Sequence, residues 1–456
     1  MQSLLQRYFG PKDFYKRTAK VAVPLALQQL LSSAMGIVDT MMVSWIGMVT
    51  AVGTAAQIDT LCSMVAYGAI GGTGIFSSQF YGAKDYRNLK RVFGFSLVMG
   101  LFNAFFWLAV AFFFGETVLR FYMNDDTVIH YGLLYLSIAM FAFIPSCINY
   151  AFSYIYRSIH QAMFPLIVSI LATLMNATFN YTLIFGVGPF PEMGVQGAAL
   201  GTLMAQWISV AIYTIYSYRT RQPFVGTLKE MFSFDRQLIE PILRKISPLI
   251  FNETLFGFGS TLFVKAFGVL GTQAMDAYYV GNQISNIFMY IVYGYGNAIS
   301  VLLGSVLGQG KIAEARKEGD YYCGLSAVLA VILVIAMIIF AGPMVAIFQL
   351  QDPIVIAYSE TLVIVFAVKI SMRLFNFMIF SVLRAGGDAK IISVLDSGIM
   401  WCIGIPLAFI CVNWFHMNDI ALVFLVVQLE QLVRLVIGMK RFNSGIWANN
   451  LTSLIS

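Results

Sequence analysis

The chain has 456 residues, of which 59% are apolar and 11% charged, with a formal net charge of +6. A soluble domain carries about 25% charged residues, so this chain lacks the polar surface to dissolve, and 5 cysteines exclude a disulfide scaffold. What remains is an all-α integral membrane protein. The positive balance then reflects topology and does not suggest nucleic acid.

A bilayer span needs about 20 mostly apolar residues. Twelve such stretches are predicted in chain order: 21–46, 54–80, 92–114, 128–156, 163–186, 196–217, 246–269, 276–305, 321–342, 354–383, 389–412 and 419–439, numbered spans 1 to 12. Their composition does not alternate as a membrane β-barrel requires. The apolar run after Lys20 is too long for a signal core, so no cleavable signal is expected.

With the N-terminus placed in the cytoplasm, 24 of the 28 Lys and Arg residues fall in cytoplasmic segments, Arg157 among them. Asp125, Asp126, Glu192, Asp352 and Asp419 fall outside. This is the positive-inside pattern of a multi-pass plasma-membrane protein with both termini cytoplasmic. Trp45, Trp401 and Trp414 at span ends suit an interfacial belt. Cys62, Cys147, Cys323, Cys402 and Cys411 all fall in spans without metal or disulfide spacing.

The two halves match at offsets of 224–227. Pro24 aligns with Pro248, Gln57-Ile58 with Gln283-Ile284, and the loop Tyr81-Gly82-Ala83-Lys84 with Leu307-Gly308-Gln309-Gly310-Lys311. Arg157-Ser-Ile-His160-Gln-Ala162 aligns with Arg384-Ala-Gly-Gly387-Asp-Ala389. Six spans per half, an even number, give two six-helix lobes related by a pseudo-twofold axis along the membrane normal. The expected organisation is an N-terminal lobe, 1–217, a charged amphipathic cytoplasmic linker, 218–245, and a C-terminal lobe with a short tail, 246–456. Pro24 and Pro248 each remove a helical hydrogen bond and are the candidate kinks or hinges.

Charge inside a bilayer is costly, which makes each buried ionisable group a candidate for function. The spans of the first half hold Asp39 and Asp59 and no Lys or Arg. Span 5 offers Asn176 and Asn180 one turn apart, and span 6 offers Thr202. Asp39, Asn176, Asn180 and Thr202 form a ligand set suited to Na⁺, or to a carboxylate that cycles H⁺. Asp59 has no sequence-local partner and is an additional candidate. In the second half Glu253, Lys369, Arg373 and Asp396 form a polar cluster in which Glu253 is expected to pair with Arg373 or Lys369. Glu430 and Arg434, four apart, pair on span 12. The histidines, 130, 160 and 416, are scattered and no nucleophile–base or metal motif occurs, so no enzyme and no cofactor is expected.

The chain resembles the multidrug and toxic compound extrusion (MATE) transporters along almost its whole length. The resemblance is carried by Ile-Val-Asp39-Thr, Gln79-Phe-Tyr-Gly82-Ala, Asn176-Ala-Thr-Phe-Asn180-Tyr-Thr-Leu-Ile-Phe-Gly186, Gly194-Val-Gln-Gly-Ala-Ala-Leu-Gly-Thr202, Ser247-Pro-Leu-Ile-Phe-Asn-Glu253, Leu383-Arg-Ala-Gly-Gly-Asp388 and Arg441-Phe-Asn-Ser-Gly-Ile-Trp447. It implies two lobes around a V-shaped central cavity and export of cationic organic compounds against inward Na⁺ or H⁺. It also implies roles for Asp39, Asn176, Asn180, Thr202, Glu253 and Pro24. Two departures stand out: Asn180 is Asp in some branches, and Arg373 occupies a position that some members give to Asp, which moves the expected coupling site to the first lobe. The expected partners are a small organic substrate, Na⁺ or H⁺ and the bilayer, with the chain a monomer. The alternatives are a lipid-linked saccharide flippase of the same superfamily, or an exporter of an anionic metabolite.

Overall fold

A computed structural model describes residues 7–44, 46, 48–122, 126–348 and 352–452, with the side chains of 32–41, 44, 49, 50, 122, 261, 272 and 276 outside that description. The Asp39 side chain, Trp45 and Asp125 therefore lie outside the described residues. Everything regular among the described residues is helical. Ten of these helices are long and apolar enough to cross a membrane. The other two predicted spans, 1 and 7, fall for the most part on the helices Lys12–Ser44 and Arg236–Gly268.

Most helices outrun their apolar windows. Span 2 is Val49–Gly82, span 3 Tyr86–Tyr122, span 5 Met163–Phe185, span 6 Val195–Arg219, span 8 Thr272–Gly308, span 9 Ile312–Ala346 and span 10 Pro353–Ala385. Span 7 begins at Arg236, so residues 236–245, expected in the linker, are helix. What is left of the linker holds one short helix, Leu228–Met231, closed by a capping box between Thr227 and Glu230.

The irregular spans have identifiable causes. Span 4 runs Asp126–Ala139, tightens through Met140–Ala142 and continues as Phe143–Ser158. Pro145 cannot donate to the Phe141 carbonyl four residues back, which favours the local change of pitch. Span 11 widens into π-helical turns over Val394–Gly398 and Met400–Gly404 before Ile405–Asn413. Pro406 removes the donor for Cys402, and Asp396 sits in the first wide turn. Span 12 breaks at Gln428 between Ile420–Val427 and Leu429–Asn443.

The internal repeat is written into the backbone. Lys84 and Gly310, 226 apart, both take left-handed φ, 58° and 76°, as spans 2 and 8 end. His160 and Gly387, 227 apart, do so after spans 4 and 10, at 63° and 73°. The closing bonds match as well. Asp85 N donates to Phe80 O at 3.0 Å and Lys311 N to Val306 O at 3.3 Å, the helix-ending geometry in which a left-handed residue satisfies the last carbonyls. An amide clamp also recurs. Asn149 Nδ2 donates to Gln206 Oε1 at 2.6 Å, and Asn376 Nδ2 to Gln431 Oε1 at 3.0 Å.

The chain divides into two compact units, Leu27–Ile250 and Met1–Ala26 with Phe251–Leu454. The divisions fall two residues after Pro24 and Pro248, inside the helices of spans 1 and 7, and not in the linker. Each unit therefore contains the opening of a helix that the other continues. In the first unit a Cβ on Gly68 would approach the Ile250 Cα to 2.8 Å. In the second, the aligned Gly294 would bring its Cβ to 2.5 Å from the Ala26 nitrogen. Glycine is needed at both points because two helix backbones come close there.

Candidate functional site

Within the unit Leu27–Ile250, spans 1, 2, 4, 5 and 6 line a cavity of about 600 Å³. Its walls are polar for a membrane protein. Asp59, Ser63 and Tyr67 come from span 2, Asn149, Tyr154 and Arg157 from span 4, Ser169 and Thr173 from span 5, and Thr202 and Gln206 from span 6. Several wall hydroxyls spend their proton on their own helix. Thr173 Oγ1 donates to the Ser169 carbonyl at 2.9 Å, Thr202 Oγ1 to that of Ala198 at 3.1 Å and Ser209 Oγ to that of Ala205 at 2.8 Å. Such hydroxyls present oxygen lone pairs to the cavity and act there as acceptors.

Asp59 is exposed to this space and forms no ion pair among the described residues. The sequence singled it out only as lacking a partner. The structure adds that it faces a cavity.

Three members of the predicted coupling set come together. Asn176 Nδ2 donates to Thr202 Oγ1 at 3.0 Å, and Asn180 Nδ2 donates to Asn176 Oδ1 at 3.3 Å. The one-turn spacing on span 5 sets the second bond. Gly201 makes room for the cluster, since a Cβ there would collide with Asn180 Oδ1. Asn176 and Asn180 are buried, and of the three only Thr202 reaches the cavity wall. The Asp39 side chain lies outside the described residues; its backbone belongs to the helix Lys12–Ser44.

Arg157 overturns the expectation that the first six spans hold no cation. It was assigned to a cytoplasmic loop, but the helix Phe143–Ser158 includes it, and it is 7% exposed in the cavity wall. Its Nη2 donates to Gln28 Oε1 at 2.7 Å and its Cζ lies 5.0 Å from the Tyr154 ring centroid. The apolar window ended one residue too early to reveal this. An arginine tilted back along its own helix reaches into the span it terminates.

In the other unit the predicted polar cluster is divided differently from the expectation. Asp396 Oδ1 accepts from Arg434 Nη1 at 2.7 Å and from Arg373 Nη1 at 3.2 Å, while Asn252 Nδ2 donates to Asp396 Oδ2 at 3.3 Å. Arg434 also reaches Glu430 Oε2 at 3.2 Å. Glu253 pairs with neither Arg373 nor Lys369. Its Oε1 lies 3.4 Å from Arg384 Nη2 at the C-terminal end of span 10. Eleven residues separate Arg384 from Arg373, about 16 Å along a helix, so one carboxylate cannot serve both. Lys369 Nζ sits over the rings of Phe366 and Phe424, 5.0 and 5.5 Å from their centroids, a cation–π arrangement that replaces the expected carboxylate.

Paired helical halves with a polar cavity inside one of them define a class, the polytopic helical transporters built from an internal repeat. The family model MatE matches residues 24–182 and 248–410, one match in each half. The chain belongs to the MatE family of transporters. It is 27% identical over 438 residues to the transporter YisQ of Bacillus subtilis, with 93% of each chain covered. It is 24% identical over 439 residues to the probable multidrug resistance protein NorM of Thermotoga maritima, covering 91% of this chain and 90% of that one. Its fold matches the bent form of the Vibrio cholerae MATE transporter VcmN with a TM-score of 0.86 at 15% identity, over 96% of this chain and 99% of the other. A MOP superfamily transporter from Pyrococcus furiosus matches with a TM-score of 0.84 at 16% identity, over 98% and 99%.

Proposed function

We propose that this multi-pass membrane protein is a secondary active antiporter that exports amphipathic, mostly cationic organic compounds in exchange for inward Na⁺ or H⁺. The observation that carries this reading is the cavity of about 600 Å³ inside Leu27–Ile250, large enough for a drug-sized molecule and lined by apolar side chains and acceptor oxygens, with Asp59 exposed among them. In this reading Asp59 receives the cationic nitrogen of the substrate, and aromatic walls such as Tyr67 and Tyr154 receive its apolar body. Asp39, with Asn176, Asn180 and Thr202, takes the coupling ion. The multidrug resistance named for relatives such as the Thermotoga maritima protein is consistent with such substrates.

Transport follows from alternating access. Pro24 and Pro248 stand two residues before the points where spans 1 and 7 pass from one compact unit to the other. Each lacks an N–H for the carbonyl four residues back, on Lys20 and Arg244, which makes these places soft in bending. We assign them as the hinges about which the halves rock. In the same reading both termini lie on the cytoplasmic side of the plasma membrane, an orientation that the basic loops support, and the protein acts as a monomer that needs no cofactor beyond the coupling ion and does no enzymatic chemistry.

Arg157 favours one element of the alternative reading, an acidic substrate, because it puts a guanidinium in the same cavity. A wholly anionic substrate, whether a phosphorylated lipid carrier or a metabolite, would meet Asp59 there. The test is counterflow of a fluorescent cationic dye in proteoliposomes with Na⁺ and pH gradients imposed separately. Uphill dye movement driven by one of the two gradients is expected. Movement driven by neither, with the protein folded and inserted, overturns the antiport reading.

A further inference from the structure

Every other deeply buried arginine of the spans is neutralised. Arg373 and Arg434 share Asp396, and Arg434 also holds Glu430. Arg384, which the internal repeat aligns with Arg157, pairs with Glu253. Arg157 is the exception. In the repeat alignment Gln28-Gln29 stand where the second half has Asn252-Glu253, so the carboxylate has become an amide. Among the described residues no carboxylate pairs with Arg157, and its Nε has no hydrogen-bond partner. A buried guanidinium without a counter-charge is costly, and it persists where something else supplies the negative group.

The surroundings are built to hold that guanidinium in place. Gln28 Nε2 donates to Ser153 Oγ and to Ser169 Oγ, both at 3.2 Å, which fixes its amide so that Oε1 faces Arg157 Nη2. The Tyr154 ring lies under the guanidinium and is itself 6.0 Å from the Tyr67 ring. Asp59 belongs to the same cavity wall, eight residues before Tyr67 on span 2, about 12 Å along the helix axis. Among the described residues the cavity wall thus holds one carboxylate, Asp59, and one guanidinium, Arg157, that form no ion pair with each other, with Tyr67 and Tyr154 on the same wall.

We propose that Arg157 is a specificity-determining residue that receives the acidic group, a carboxylate or its equivalent, of amphipathic compounds that also carry a cationic nitrogen. The inference rests on the export reading above and narrows its substrate class from cations to zwitterions. A guanidinium edge suits a carboxylate because its N–H groups donate in a planar fork. Asp59 faces the opposite charge of the same molecule.

The test uses one xanthene dye in two forms, a zwitterion with a free aromatic carboxylate and the methyl ester of that acid, which is only cationic. Affinities are measured by fluorescence anisotropy with the full chain in detergent. The wild type is expected to bind the acid more tightly than the ester. Arg157→Gln is expected to weaken the acid by about tenfold or more and to leave the ester within about twofold. Arg157→Lys is expected to restore part of the preference, since it returns the charge without the fork. Gln28→Glu tests the same point with the arginine in place. It installs next to Arg157 the kind of partner that Glu253 gives Arg384, and is expected to abolish the preference for the acid. No preference in the wild type, equal loss of both dyes in Arg157→Gln, or an unchanged preference in Gln28→Glu would each overturn the proposal. Uptake of the same dyes into proteoliposomes reads the export reaction separately. A wild type that binds both forms but moves neither under any gradient overturns antiport, while the affinity ratio still decides the role of Arg157.

Discussion

The Arg434 guanidinium, 1% exposed, donates to the Asp396 carboxylate at 2.7 Å. Asp396 is the shared anion of two arginines, and Glu430 supplies the second negative charge to Arg434. Taking such charges out of water is repaid only when each has its partner. Asp396→Asn keeps the shape but leaves two guanidiniums to share Glu430. It is expected to destabilise the protein by about 3–5 kcal/mol. Glu253→Gln, which breaks a single and more exposed pair, is expected to cost less. Thermal unfolding midpoints of the two variants in the same detergent check the order, and the reverse order would contradict the network.

In the first half the comparison that matters is between Asp39 and Asp59. If Asp39 takes the coupling ion and Asp59 the substrate cation, the two substitutions separate. Asp39→Asn is expected to abolish gradient-driven uptake while dye affinity stays within about twofold. Asp59→Asn is expected to weaken binding of a cationic dye by about tenfold, the range for a hydrogen bond to a charged group. Affinity in detergent and uptake in proteoliposomes, read side by side, distinguish them. An Asp39→Asn variant with wild-type uptake sinks the coupling assignment.

The polar bond behind this site has its own prediction. Thr202→Val keeps the volume and removes the oxygen that accepts from Asn176 Nδ2 at 3.0 Å. The Asn176 amide is fully buried, so its donor loses its partner without gaining water. The expected loss of stability is about 1–3 kcal/mol. Thr202→Ser, which keeps the acceptor, is expected to lose less.

The twelve apolar windows and the repeat were legible because both are one-dimensional signals. Residue spacing alone aligns His160 with Gly387 and Lys84 with Gly310, and their shared left-handed φ follows. The one-turn spacing of Asn176 and Asn180 likewise announced a contact on one helix face. The charge pairing in the second half was not legible. Which of Arg373, Arg384 and Arg434 reaches Glu253 or Asp396 depends on how four helices are rotated and on the wide turns around Asp396, and spacing carries neither. Arg157 was missed for a different reason. A hydropathy window scores it as the first loop residue, whereas its long side chain lies back along span 4.

The linker gives a pH dependence outside the spans. Arg91 Nη2 lies 2.6 Å from Asp235 Oδ2 and holds that carboxyl below the usual carboxylate range. The Thr227 backbone N–H and then Lys90 do the same for Glu230. A carboxylate whose folded pKa is depressed stabilises the docked form at every pH above its unfolded value, near 4. That contribution fades as the pH falls from there through the depressed value. Amide exchange over residues 222–235, expressed relative to the intrinsic rate at each pH, is therefore expected to be unchanged between pH 8 and 6 and to accelerate below about pH 4. Asp235→Asn is expected to show the faster exchange already at neutral pH.

The end of the described chain is held through a glycine chosen for space. Gly386 has φ −89°, which any residue can adopt, yet a Cβ there would collide with the Trp447 carbonyl oxygen. Trp447 is 1% exposed, stacks on Phe442 with centroids 6.2 Å apart, and donates from Nε1 to the Phe442 carbonyl at 3.0 Å. Arg441 Nε, 2.8 Å from Asp388 Oδ2, ties the same segment to the turn after span 10. Gly386→Ala must push the Trp447 backbone away or leave the turn strained. Overpacking of this kind costs about 1–3 kcal/mol. The expected result is a lower unfolding midpoint with faster amide exchange from residue 445 to 451. Gly53→Ala is the control: a Cβ there meets nothing within 4 Å, and alanine is the better helix former. A Gly386→Ala variant as stable as Gly53→Ala would show that the Trp447 segment does not dock against this turn.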